Sequence, residues 1–244
     1  MKGDTFMQTK YKDIYTQIKQ DIESGKLKRN DRLDDEITLC KKYNCSRMTI
    51  KKALDLLVQE GLLFRKRGLG SFVMEQSMHN QRILLSEREL AGLSKSTRGK
   101  IIASKTLEFK FVFANSKIAE HLNMKENDPL YYIVRVRYID NEPCVVEQTY
   151  MNPSLIPGIN QDILNGSIYN YIENTLHLKI GSAKKITRAC ISNDVDHKYL
   201  QLEDEEPVLE IEQIAYLDNG IPFEYSISRH RYDKFEFTTY SLRM

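Results

Sequence analysis

The sequence predicts an α+β chain in two parts. A helical N-terminal part closed by a two-stranded ribbon is followed by a larger part built on an antiparallel sheet. Three observations carry this. Apolar residues recur at helical spacing from Tyr11 to Val58. A basic run tipped by glycines follows at residues 65–73. From Leu130 onward, alternating β-branched and aromatic runs are separated by turn residues. The strands do not alternate with helices as a parallel sheet would require.

The first helix is set by Tyr11, Ile14, Ile18 and Ile22, and Ser24-Gly25 stops it. Asp34 or Asp35 caps a second short helix running to about Tyr43, and Asn44-Cys45-Ser46 turns the chain into a third. There Ser46 is the N-cap, its hydroxyl able to accept from free N–H groups of the first turn. Ile50, Ala53, Leu54, Leu57 and Val58 keep the i, i+3, i+4, i+7, i+8 spacing of one buried face, and Gly61 ends the helix. Arg47, Thr49, Lys51 and Lys52 fall off that stripe.

An ordinary amphipathic helix with a solvated basic face has the same look. The neighbouring ribbon, with Arg65, Lys66 and Arg67 beside Gly68 and Gly70, favours DNA. Three helices and a basic two-strand wing make a winged helix-turn-helix, whose recognition helix places its first turn against base edges in the major groove. Arginine there can pair with guanine O6 and N7 through two hydrogen bonds. Charge agrees: residues 1–76 carry 16 Lys+Arg against 11 Asp+Glu, whereas the remainder carries 20 against 23. The expected partner is double-stranded DNA. Because two-fold protein symmetry matches two half-sites, a homodimer on a near-palindromic operator is expected.

At 244 residues the chain suits two modest domains or one large one. It has no run of about 18 apolar residues, so no membrane span is expected. Its N-terminus lacks a signal-peptide core, which points to the cytoplasm. Cys40, Cys45, Cys144 and Cys190 are scattered and read as free thiols, without metal spacing. The five histidines are equally dispersed, no nucleotide-binding glycine motif is visible, and no catalytic set can be assigned. No cofactor, metal or catalytic residue is expected. The acidic run Glu203-Asp204-Glu205-Glu206 reads as a solvated turn.

The expected division is 1–75 for the DNA-binding domain, 76–82 for a polar linker and 83–244 for the second domain. In that domain the run 130–139 alternates as a strand, residues 140–143 turn, and 144–150 return. A second hairpin pairs 208–217 with 222–231 about Asp218-Asn219-Gly220. Further strands are expected near 101–112, 183–191 and 235–240, with short helices at 116–122, 168–176 and 194–200. On the strand 130–139, Arg135 and Arg137 share a face with Tyr131, Ile133 and Ile139. The opposite face (Tyr132, Val134, Val136, Tyr138) is apolar and is expected to pack on the core. Either the arginines point to solvent and bond to carboxylates such as Glu147, or they point into a pocket that takes an anion. Periodicity leaves these two readings level.

The chain resembles the GntR superfamily of bacterial regulators in its HutC branch, which joins a winged helix-turn-helix to a UTRA effector domain of chorismate-lyase-like fold. The resemblance rests on Ser46-Arg47-Met48-Thr49-Ile50 with Ala53-Leu54, Glu60-Gly61-Leu62-Leu63 and Gly68-Leu69-Gly70-Ser71-Phe72-Val73. Beyond the linker it rests on Arg135-Val136-Arg137, Glu142-Pro143 with Glu147, Ser167-Ile168-Tyr169, and Pro222-Phe223-Glu224-Tyr225 running into Asp233-Lys234-Phe235. It implies DNA contacts at Ser46, Arg47, Thr49 and Lys51, and a wing contact at Gly68 or Gly70 beside Arg67. It implies a phosphate site of Arg135, Arg137, Ser167, Tyr169 and Ser86, with Glu147, Glu224 and His230 around the rest of a small-molecule effector, a phosphorylated sugar. The function implied is repression of a carbohydrate uptake or catabolic operon. Two departures matter. Ile37 stands where the branch often has a DNA-touching arginine, and Lys51 replaces a common arginine, giving up its two-pronged geometry. The segment 85–99 also leaves the usual pattern. Rival readings are a regulator sensing a carboxylate, an enzyme of chorismate-lyase type, and a second domain that only dimerises.

Overall fold

The computed structural model describes residues 3–74, 83–86 and 100–238. The expected linker at 76–82 lies outside them, as do most of 85–99 and the side chain of Ser86. The chain divides into two compact units, one within Met1–Asn80 and one spanning Gln81–Thr238.

The first unit holds α1 (Gly3–Glu23), α2 (Glu36–Tyr43), α3 (Arg47–Gln59), β1 (Leu63–Lys66) and β2 (Gly70–Val73). Asp35 is the cap of α2, its carboxylate accepting from the Ile37 and Thr38 amides. Asn44 takes the left-handed conformation that closes α2. Ser46 caps α3 by accepting from the Thr49 amide, and Gly61, at φ 69°, sits just past its end. Ile14, Ile18 and Ile22 of α1 meet Ile50, Ala53, Leu54 and Leu57 of α3 in one core with Leu39 and Leu63. The wing is an antiparallel pair in which Lys66 faces Gly70, and Arg32 bridges to Phe72 at its outer side. Leu57 is completely buried. Leu57→Ala should therefore cost the first unit about 2–5 kcal/mol; a denaturation midpoint equal to the parent's would contradict this packing.

Thr49 differs from expectation. It is only 6% exposed, and its hydroxyl lies 2.9 Å from that of Ser46. At the third position of α3 it turns in toward the core just ahead of Ile50, so the exposed polar face of that turn is narrower than the sequence pattern suggests.

The second unit is a six-stranded antiparallel sheet in the order β4-β5-β6-β9-β8-β7. These strands are β4 (Ile102–Phe113), β5 (Pro129–Ile139), β6 (Glu142–Met151), β7 (Ile180–Ile191), β8 (Pro207–Leu217) and β9 (Pro222–Arg231). β3 (Ile83–Ser86) and β10 (Phe235–Thr238) pair in parallel apart from it. Among the described residues four short helices accompany the sheet, α4 (Ser116–Leu122), α5 (Gln161–Asn165), α6 (Ile168–Asn174) and α7 (Asp194–Leu200). The turn between β5 and β6 is tighter than expected. Asp140 and Asn141 both have positive φ, as a two-residue type I′ turn requires, so Glu142 and Pro143 already belong to β6.

Helices cover both faces of the sheet, which decides the fate of β5. α4 packs with Leu130 and Tyr225, and α7 with Val136 and Val146. On the other face, Leu164 of α5 and Ile168 and Ile172 of α6 pack with Tyr131 and Ile133. The apolar face expected to pack on the core is half-buried at Tyr132, Val134 and Tyr138. The arginine-bearing face is the more deeply covered one.

Candidate functional site

In the first unit the predicted DNA-binding residues lie on three adjoining pieces of backbone. Ser46 and Arg47 open α3, Lys51 follows one turn on, and Arg67, Gly68 and Gly70 form the wing tip. Arg47 projects with 72% of its side chain exposed, and its guanidinium lies 3.5 Å from Glu36, tying the first turn of α3 to that of α2. Lys51, Arg67 and both glycines are exposed. Gly68 and Gly70 have φ of 75° and 109°, which only glycine adopts without strain. A Cβ on Gly70 would stand 3.4 Å from the Arg32 guanidinium. Arg32 thus joins the wing, although it sits in a loop far from the wing in sequence with no local signal to mark it. Lys66 is propped over the Phe64 and Phe72 rings, at 5.4 and 5.3 Å from their centroids.

The far end of α3 is clamped. Glu60, its C-cap residue, accepts from the Tyr15 hydroxyl at 2.5 Å and from Lys19 at 2.9 Å. Burial and the Glu60 carboxylate push the Tyr15 phenol up to about 12. The recognition helix is braced on α1 at the end away from its exposed first turn.

In the second unit the sheet carries five of the predicted effector residues, and α6 brings a sixth, Tyr169, against Glu224. Arg135 and Arg137 are each 5% exposed. Across the β5–β6 register Arg135 faces Glu147, whose carboxylate accepts from Arg135 at 2.7 Å and from Arg137 at 3.3 Å. Arg135 also donates to the Leu164 carbonyl at 3.0 Å, while its buried Nε has no hydrogen-bond partner among the described atoms. Burial opposes charge on Glu147, but the two guanidiniums prevail and hold its carboxyl at about 2. The arginine pair bonds to a carboxylate, as the first reading has it, but it does so inside the unit and not at solvent.

Two strands away, one oxygen of Glu224 accepts from Ser226 at 2.9 Å, Gln213 at 3.1 Å and Tyr169 at 3.2 Å. Burial, and then the nearby Glu147 charge, push the Glu224 carboxyl up. Burial and Glu224 likewise raise the Tyr169 phenol well above its ordinary value, so it stays a donor. His230 is 6% exposed, with Nδ1 3.2 Å from the Leu209 carbonyl and its ring edge-on to Phe235. Burial pulls its imidazole down to about 4. Ser167 is half-buried and spends its hydroxyl capping α6. The backbone of Ser86 pairs with Thr238 in β3. Gln213 and Ser226 were missed from the sequence. They face each other across β8–β9, but the β-bulge after Ala215 keeps loop length alone from giving that register.

His230 and Glu147 predict an acid-sensitive fold. An unfolded histidine titrates near 6.5, so between pH 6.5 and 4 the unfolded chain binds more protons than the folded one. The stability that neutral, buried His230 confers is full above pH 6.5 and about 3 kcal/mol of it is lost on falling to pH 4. Glu147 adds a further loss from pH 4.5 down to about 2. Melting curves of the parent and of His230→Asn should diverge least near pH 4; a parent profile flat from pH 7 to 4.5 would refute the histidine contribution.

A cation-bearing recognition helix with a basic wing, joined to a sheet carrying a buried polar cluster, defines a DNA-binding transcription regulator. Residues 10–73 match the family model described as bacterial regulatory proteins, gntR family, and residues 97–236 match the UTRA domain. The HTH-type transcriptional regulator GmuR of Bacillus subtilis (strain 168) is 43% identical over 96% of this chain and 99% of its own length. The "Probable fructoselysine utilization operon transcriptional repressor" of Escherichia coli (strain K12) is 30% identical over 88% of each chain. The crystal structure of the possible transcriptional regulator YydK from Bacillus subtilis superposes with a TM-score of 0.77 at 33% identity, covering 96% of this chain and 99% of that one. The chain belongs to the GntR family of bacterial regulators, in the branch that carries a UTRA domain.

Proposed function

We propose that this regulator represses a carbohydrate uptake or catabolic operon and is released by a phosphorylated sugar. Residues 1–75 bind one half-site of a near-palindromic operator, 76–82 link, and 83–244 bind the effector and the second copy of a homodimer. Ser46, Arg47 and Lys51 meet the major groove, with Thr49 bracing that turn, and Arg67, Gly68 and Gly70 meet the neighbouring groove. The observation that carries the effector reading is the buried pair Arg135 and Arg137 gathered on one carboxylate. Guanidinium forks suit phosphate oxygens. Ser86, Ser167 and Tyr169 complete the phosphate end; Glu147, Glu224 and His230 meet the sugar. The fructoselysine operon repressor among its relatives supports a sugar-derived effector.

A thermal-shift screen tests this, using sugar 6-phosphates, the matching free sugars and phosphate-free carboxylates. A ligand at a hundred times its Kd stabilises the native state by about 2.7 kcal/mol. One sugar phosphate should raise the melting temperature while its free sugar does not, and the same compound should release DNA. A shift with a carboxylate instead would replace the ligand class. Silence across the set would leave the second domain as a dimerisation module.

A further inference from the structure

Among the described residues of the first unit, the large apolar side chains left exposed are Ile37, Met48 and Leu69, at 59%, 69% and 56%. Their places are the first turn of α2, the first turn of α3 and the wing tip. Elsewhere the unit buries its large apolar groups in one core, so this exposure is confined to the surface that bears Arg47, Lys51 and Arg67.

Met48 is the informative one. It is the second residue of α3, and Lys51 and Lys52 lie three and four residues on, along the same side of the helix. The Arg47–Glu36 ion pair holds the first turn of α2, which carries Ile37, alongside. The result is an exposed apolar side chain flanked by cations on the first turns of α3. An apolar protein surface laid over it would strip water from Arg47, Lys51 and Lys52 without repayment. The major groove supplies phosphates for the cations and an apolar group for Met48, because thymine carries a methyl at C5.

We propose that Met48 is a specificity-determining residue that packs on the C5-methyl of a thymine in each operator half-site. The inference rests on the DNA-binding reading of α3 and adds a base preference at one position. Arg47 and the lysines read hydrogen-bonding edges and phosphates; Met48 reads the one feature of the groove that makes no hydrogen bond.

The test selects binding duplexes from a random pool with the full-length protein. The best duplex is then resynthesised with deoxyuridine at one thymine position at a time, which removes a methyl and leaves every hydrogen bond in place. At one position, loss of the methyl should weaken the parent roughly fourfold per methyl buried. Met48→Ala, whose exposed site keeps the fold intact, should bind both versions of that duplex equally. A parent indifferent to every deoxyuridine overturns the proposal. So does a Met48→Ala protein that keeps the full penalty. Both leave the DNA interface standing. A pool that enriches no sequence overturns the interface, and Met48's role with it.

Discussion

Arg47→Ala should abolish specific operator binding while the first unit stays folded. The side chain is 72% exposed and its ion pair to Glu36 is a surface contact, so its removal costs folding at most about 1 kcal/mol. On the proposed reading its worth lies in the groove. A two-pronged arginine–guanine contact discriminates by about 1–3 kcal/mol, and a homodimer makes it twice, so specific affinity should fall roughly 10²- to 10⁴-fold. Binding to competitor DNA should persist, since phosphate contacts from the wing remain. Anisotropy titrations on the selected duplex and on scrambled DNA separate the two. Parent-like operator affinity would move the reading head away from the first turn of α3.

Arg135→Ala should act on stability before it acts on ligand. The guanidinium is buried between Glu147 and the Leu164 carbonyl, and truncation leaves a strongly acidic carboxylate inside with one partner fewer. Breaking a buried pair on one side costs about 3–5 kcal/mol. The second unit should melt roughly 6–20 °C earlier, while isolated unfolding of the first unit is unchanged. Arg135→Lys keeps the charge and should recover part of the melting temperature without recovering the sugar-phosphate response, because the fork is gone. An Arg135→Ala protein that melts like the parent would show that Glu147 finds a replacement partner inside.

Local signals carried most of the fold. Helical spacing placed Ile14, Ile18 and Ile22 against the stripe from Ile50 to Leu57, and the caps at Asp35 and Ser46 are single-residue chemistry. Strand alternation placed Arg135 and Arg137 on one side of β5. It did not tell which side would be deeper, because that depends on helices arriving from elsewhere: α5, absent from the sequence reading, and α6 close over the arginines. The partners of Glu224 were hidden for a similar reason. Gln213 reaches it only through a register set by a bulge, and a bulge leaves no pattern in a run of alternating residues. β3 and β10 pair in parallel across most of the second unit, a long-range choice that neither strand announces. Thr49 lies off the apolar stripe in the sequence pattern, yet it is buried, with its hydroxyl turned in against Ser46.

The carboxylate of Glu147 has a consequence for discrimination among small anions. Any anion that takes the guanidiniums must take them from a group already seated there, so selectivity follows a difference in charge. A singly charged carboxylate trades like for like and leaves Glu147 desolvated with weaker partners. A phosphate monoester, carrying about −1.5 to −2 near neutral pH, would outbid the resident carboxylate on the proposed reading. On the proposed effector reading, the strand pair β5–β6 would work as a valence filter, passing over monoanions in favour of doubly charged ones.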